Sequence, residues 1–63
     1  MMYKLRIYKQ RGKDKGKLDK EEFFKTEIDA IERYNELCNP DHFALNPTLW
    51  MGNGDEWERV EGY

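Results

Sequence analysis

The chain of 63 residues has one cysteine, one histidine and two prolines, and it contains no long hydrophobic run. A single cysteine cannot form an internal disulfide, whereas small secreted domains usually carry several pairs. The first ten residues lack the apolar segment of a signal peptide, and no stretch approaches the roughly 18 apolar residues of a membrane span. We therefore expect a cytoplasmic domain with no membrane partner.

The chain is also too short to enclose a large internal cavity. A domain of this size buries only about 60% of the surface of its unfolded chain, and a pocket of about 300 Å³ would take up most of its interior. No glycine is followed by the Lys-Ser or Lys-Thr pair of a phosphate-binding loop. We expect a binding or structural role, no catalytic residues and no bound cofactor.

One pair of residues, Cys38 and His42, has the chemistry of a metal ligand or a nucleophile with its base. A zinc site needs three or four protein ligands, and the chain has no second cysteine or histidine. Pro40 also breaks a helix between the two residues, so the sequence does not assure them a shared helical face. We interpret them as a half-buried cysteine at a helix end and a loop histidine, and we expect no metal. A small hydrolase or metalloprotein is the least favoured class.

Aromatic and charged residues are plentiful, at 14% and 38% of the chain, and the net charge is −2. Disordered chains have few aromatic residues and a high net charge, so this composition indicates a folded domain. Nine large rings supply enough apolar surface for a small core.

The pattern of apolar residues predicts two β-hairpins around one helix. Residues 3–9 alternate between apolar and polar, as a half-buried strand does, and residues 21–25 return after a basic loop over residues 10–20. Residues 48–51 and 56–60 flank a Gly-Asn-Gly-Asp turn, which predicts the second hairpin. The predicted element order is β-β-α-β-β.

The helix is predicted to begin after Thr26, a good N-cap residue, and to stop at Asn39 because Pro40 follows. At 100° per residue one side of this helix is apolar, with Ile31 at the centre of the arc. The apolar side comprises Ile28, Ala30, Ile31, Tyr34, Leu37 and Cys38. The fold class is therefore α+β, a single domain over residues 1–63 with a small antiparallel sheet and one amphipathic helix packed on one face.

The sheet face turned away from the helix, which we call the open face, is the candidate binding site. If Tyr3, Leu5 and Ile7 meet the helix, the alternate side chains of the sheet point away from it. The residues then expected on the open face are Lys4, Arg6, Tyr8, Phe23, Lys25, Trp50, Trp57 and Arg59. This assignment depends on strand register, since a slip of one residue would invert every side chain.

Rings interleaved with cations on such a sheet suit two kinds of macromolecule. Exposed apolar patches usually mark contacts with proteins, including a second copy of the same chain. Single-stranded nucleic acids are also held by aromatic stacking and by cations. In a third interpretation, one tryptophan folds inward. We favour a protein-binding or adaptor module, with a protein partner or homodimer ahead of nucleic acid. No motif identifies a family, and the short length is typical of small bacterial or phage open reading frames.

Charge is distributed unevenly along the chain. Residues 1–25 hold nine Lys or Arg and four Asp or Glu, whereas residues 26–63 hold two and nine. A basic segment can be a nucleic-acid footprint, but lysines also solubilise loops and protect edge strands from pairing. We favour the second interpretation, because the chain as a whole is acidic.

Overall fold

The computed structural model describes all 63 residues and shows two β-hairpins joined by one helix. The strands are β1 (Met2–Tyr8), β2 (Leu18–Phe24), β3 (Thr48–Asn53) and β4 (Glu56–Arg59), and the helix α1 spans Glu27–Cys38. The strands form one antiparallel sheet in the order β2-β1-β3-β4. Helix α1 contacts β1, β2 and β3. The predicted α+β fold is confirmed.

The core lies between α1 and the two central strands. Leu5 and Ile7 of β1 are buried, and Leu49 of β3 lies directly opposite Leu5. Ala30 and Leu37 approach them from the helix. The half-buried side chains packed around this cluster are Tyr3, Phe24, Ile31, Tyr34, Leu45, Val60 and Tyr63. The alternation of β1 therefore assigns Tyr3, Leu5 and Ile7 to the helix side of the sheet, as predicted.

Both ends of α1 follow the local sequence. The Thr26 hydroxyl accepts a hydrogen bond from the backbone N–H of Asp29 at 3.3 Å, which satisfies one of the free donors of the first turn. Asn39 is extended, with φ −63° and ψ 119°, because the following Pro40 disfavours helical geometry. The predicted start and end of the helix are confirmed.

The predicted apolar arc of the helix is wrong at Ile28. This side chain is 71% exposed, whereas Ala30 and Leu37 are buried. Ile31 is half-buried, so it flanks the arc and does not mark its centre. The reason is geometric, since Ile28 is 160° from Ala30 around the helix axis at 100° per residue. Ala30, Leu37 and the sheet lie on the opposite side of the helix from Ile28.

The first hairpin differs from its predicted limits. β2 begins at Leu18, three residues before the predicted strand, and ends at Phe24, so Lys25 lies outside it and is exposed. A shift in pairing next to Ile7 leaves Asp19 without a partner, which is the mark of a β-bulge. The loop is correspondingly shorter than predicted, covering residues 9–17. Two backbone hydrogen bonds between Lys9 and the 16–17 segment close it.

The second hairpin has a two-residue turn, Gly54-Asp55, and the predicted strands differ slightly from β3 and β4. β3 continues to Asn53, which pairs with Glu56. β4 ends at Arg59, and Val60 follows it toward the core. Gly54 has φ +63°, a conformation that glycine adopts without steric cost.

An ion pair between Arg33 and Glu22 connects the helix to the edge strand β2. Arg33 of α1 donates from Nε to Glu22 Oε1 at 2.9 Å and from Nη2 to Glu22 Oε2 at 3.3 Å. This two-point contact holds the pKa of the Glu22 carboxyl below its ordinary value of 4.5, mainly through the hydrogen bonds from Arg33 and against the effect of partial burial. Glu22 faces the helix, whereas its neighbour Glu21 faces the opposite side of the sheet.

We expect the substitution Glu22→Gln to lower the free energy of unfolding by about 1 kcal/mol at pH 7. This value lies between the typical contribution of an exposed ion pair and that of a buried charged hydrogen bond. A carboxyl group whose pKa is lower in the folded than in the unfolded chain stabilises the fold at pH values above its unfolded-state pKa. This contribution is lost as the pH falls through its folded-state pKa. The difference from wild type should therefore shrink as pH falls below 4.5 and through the lower folded-state pKa of Glu22. Urea unfolding at pH 7 and pH 3 measures it, and an equal difference at both pH values would contradict the role of the Glu22 charge.

Candidate functional site

The register of the sheet places all seven predicted binding residues on the open face. Lys4 lies directly opposite Phe23 of β2 and Trp50 of β3, and Trp50 lies opposite Arg59 of β4. Directly opposite residues of an antiparallel pair project to the same side. The seven residues brought together are Lys4, Arg6, Tyr8, Phe23, Trp50, Trp57 and Arg59. Neither tryptophan folds into the core.

Lys4 lies between two aromatic rings. Its Nζ is 4.3 Å from the ring centre of Trp57 and 6.0 Å from that of Phe23. The two rings are 6.1 Å apart although their strands are the two edges of the sheet. Gly52 pairs with Trp57 and has no side chain, so the indole can lie across β3 toward β1. As a result only 12% of the Lys4 side chain is exposed.

A second group of contacts orders the other half of the open face. The Trp50 indole N–H donates to the Thr48 hydroxyl oxygen at 2.8 Å, and the Tyr8 hydroxyl is 3.1 Å from the same oxygen. The Arg6 guanidinium lies 5.6 Å from the Trp50 ring centre. Thr48 thus fixes both rings, and the sequence prediction did not include it.

Glu21 is the other residue of this face that sequence reasoning missed. Its Oε2 lies 2.9 Å from Lys4 Nζ and 3.2 Å from Arg6 Nε. Neither pair is aligned as a hydrogen bond, and both Arg6 Nε and Glu21 Oε2 are buried without a hydrogen-bond partner. The attraction is therefore mainly Coulombic. The alternation of β2 back from Phe23 would have placed Glu21 on this face.

One aromatic ring and one cation of the open face remain accessible, at opposite edges of the sheet. Phe23 is 56% exposed. Arg59 is exposed and donates from Nε to the backbone oxygen of Tyr63 at 3.0 Å. The indole N–H of Trp57 donates to the backbone oxygen of Gly54 at 2.7 Å, which restricts the orientation of the ring. The open face is an ordered patch of rings with an excess of positive charge.

Cys38 and His42 are not part of this face. Cys38 is half-buried at the end of α1, and His42 is exposed in the turn that follows. Burial, with a further contribution from Cys38, raises the pKa of the Tyr34 phenol one helical turn earlier. No group of three or more His, Cys, Asp or Glu side chains is arranged to hold a metal ion.

Two depressions on the surface are open to solvent. The larger, about 650 Å³, lies between the 9–17 loop and the turn after α1, and the smaller, about 460 Å³, adjoins Trp57. The larger one is lined by Ile7, Tyr8, Lys9, Gln10, Arg11, Asp19, Phe43, Ala44 and Leu45. Its lining contains one carboxylate, Asp19, and neither cysteine nor histidine.

Known proteins give no indication of the function of this chain. No helix is long and apolar enough to cross a membrane. No protein-family model, curated protein or solved structure matches this chain.

Proposed function

We propose that this protein is a small non-enzymatic binding module of the cytoplasm that contacts another protein through the open face. The observation that carries the proposal is the ring cluster of Phe23 and Trp57 around Lys4, displayed on a sheet face that no other layer covers. Aromatic side chains are enriched among residues that dominate binding energy at protein interfaces. Hydrogen bonds from the Trp50 and Trp57 indoles hold the two tryptophan rings in place before a partner arrives, which lowers the entropic cost of binding.

Glu21 favours a protein partner over single-stranded nucleic acid. Nucleic-acid affinity draws on cations that neutralise phosphates. On the open face, Lys4 and Arg6 already share the carboxylate of Glu21, and the ammonium group of Lys4 is covered by rings. The net charge of −2 further weakens long-range attraction of a polyanion.

We expect Phe23→Ala to weaken binding of the protein partner at least tenfold, since it removes the most exposed ring of the patch. Phe43→Ala is the matched control, because Phe43 is similarly exposed, at 50%, but lies in the turn after α1. Wild-type and variant proteins would serve as baits for proteins of the source cell. A recovered partner would then be purified and titrated against each variant.

Nuclease treatment and salt separate the two classes of partner. A protein contact survives nuclease and changes little with added salt, because its energy comes mainly from buried rings. A partner lost on nuclease treatment, together with binding of a labelled oligothymidine that falls steeply with salt, would establish nucleic-acid binding in its place. Equal effects of the two phenylalanine variants would show that the open face is not the binding surface.

A further inference from the structure

The helix presents to solvent a surface whose chemistry is opposite to that of the open face. Its outermost residues, which we call the outer helix face, are all exposed: Ile28, Asp29, Glu32, Asn35 and Glu36. Ile28 and Glu32 are neighbours one turn apart. Glu36 pairs with Arg33, whereas Asp29 and Glu32 form no ion pair. An apolar side chain thus stands among unpaired carboxylates.

Charge opposes contact between two open faces and favours contact between an open face and an outer helix face. The open face carries three cations, Lys4, Arg6 and Arg59, against one carboxylate, Glu21. Two open faces packed on each other would bring like charges together, which costs several kcal/mol at an interface. The outer helix face carries the complementary charge, so a helix of a second copy fits where a second sheet does not.

The dimensions also agree. A helix of 12 residues is about 18 Å long and about 10 Å wide, and strands of up to seven residues in a four-stranded sheet give a face of roughly 20 × 23 Å. The footprint of the helix on the sheet is then about 180 Å², well below the roughly 800 Å² per partner of a standard interface. Such a contact is weak and depends on protein concentration.

We propose that the open face of one copy binds the outer helix face of a second copy. This inference rests on the proposed function and names the partner as the protein itself. Ile28 packs against the rings of Phe23 and Trp57, and the free carboxylates of the helix face the guanidinium group of Arg59. They also reach the exposed part of Arg6, beyond the Nε that lies against Glu21. The sheet then has a helix on each side, so that the apolar parts of both of its faces are covered. Because the two surfaces differ, the contact repeats from copy to copy and forms chains or closed rings.

Two variants that each lose one surface test the inference. The face variant, Phe23→Glu with Arg59→Glu, keeps an intact helix. The helix variant, Ile28→Lys with Glu32→Lys, keeps an intact open face. All four positions are exposed, so folding should be retained, and thermal melts by circular dichroism verify this. Lys13→Glu in the 9–17 loop is the control, because it changes net charge away from both surfaces.

Sedimentation velocity from about 1 μM to about 1 mM, the range in which weak interfaces dissociate, gives the readout. We expect oligomers of wild type and of the Lys13→Glu control, and at least tenfold weaker self-association of each double variant. An equimolar mixture of the two double variants should form a 1:1 dimer and nothing larger. The helix variant supplies the one intact open face, and the face variant supplies the one intact outer helix face.

Other outcomes overturn the inference in distinguishable ways. If the helix variant still associates while the face variant does not, the open face binds protein but the helix is not its partner. If wild type stays monomeric, the inference fails, and the proposed function is then judged by the bait experiment alone. Association of both variants at wild-type strength would remove the open face from self-contact altogether.

Discussion

Replacing Gly52 with alanine is expected to disrupt the β3–β4 hairpin and to lower the free energy of unfolding by about 3 kcal/mol. A Cβ at this position would lie 2.0 Å from the backbone oxygen of Glu56 and 3.0 Å from the Cα of Trp57. These are backbone atoms next to a two-residue turn, so they cannot move aside without breaking the pairing of β4. A domain of this length has a total stability of roughly 3–9 kcal/mol, so the substitution would remove between about a third and all of it.

Gly54→Ala in the same hairpin is the matched control. Gly54 has φ +63°, but a Cβ there meets nothing within 4 Å. The cost should be the 1–2 kcal/mol or so of a left-handed backbone in an L-residue, with the hairpin retained. Urea unfolding monitored by circular dichroism gives both values. If Gly52→Ala were no more costly than Gly54→Ala, close approach of the strands would not be the reason for glycine at position 52.

The substitution Leu37→Ala is expected to lower the free energy of unfolding by about 2–5 kcal/mol, the usual cost of removing a buried leucine side chain. Leu37 is 2% exposed and belongs to the core cluster with Leu5 and Leu49. Its backbone oxygen also accepts a hydrogen bond from Leu45, where the chain turns back toward β3. Loss of the side chain would therefore loosen both the helix and the segment that follows it.

Ile28→Ala supplies the comparison within the same helix. Ile28 is among the most exposed apolar residues of the chain, so its truncation should change stability by no more than about 0.5 kcal/mol. Chemical denaturation at low protein concentration keeps self-contact out of the measurement. Equal losses for the two variants would contradict the orientation of the helix described above.

The fold was predictable where side-chain periodicity and end signals agree. Alternation in β1 assigned Leu5 and Ile7 to the core, and Thr26 with Pro40 bounded the helix. The start of β2 was not predictable in this way. Residues 18–20 are Leu-Asp-Lys, and Asp and Lys are uncommon in strands. They form a strand because β1 offers a ladder of backbone hydrogen bonds on that side, a tertiary effect with no signature in local composition.

The candidate site, too, was only partly predictable from the sequence. Period-two alternation placed the seven residues on one face, but it could not show which cations remain free. Lys4 of β1 is shielded because the Trp57 indole extends from β4 across β3. The indole can do so because Gly52, its partner on β3, has no side chain. Likewise Glu21 was absent from the predicted open face, because neighbouring charges at positions 21 and 22 do not show by themselves which of them faces Lys4.

The placement of Trp50 and Trp57 has a practical consequence for spectroscopy. They are the only two tryptophans of the chain, both lie on the open face, and none lies beside the helix. Intrinsic tryptophan fluorescence therefore reports on one surface of the protein, with Lys4 and Arg6 as nearby groups that affect the emission of the two indoles. Any molecule that covers this surface changes the emission or shields it from a soluble quencher, whereas a molecule bound to the helix alone does not. The protein carries its own optical probe of the open face.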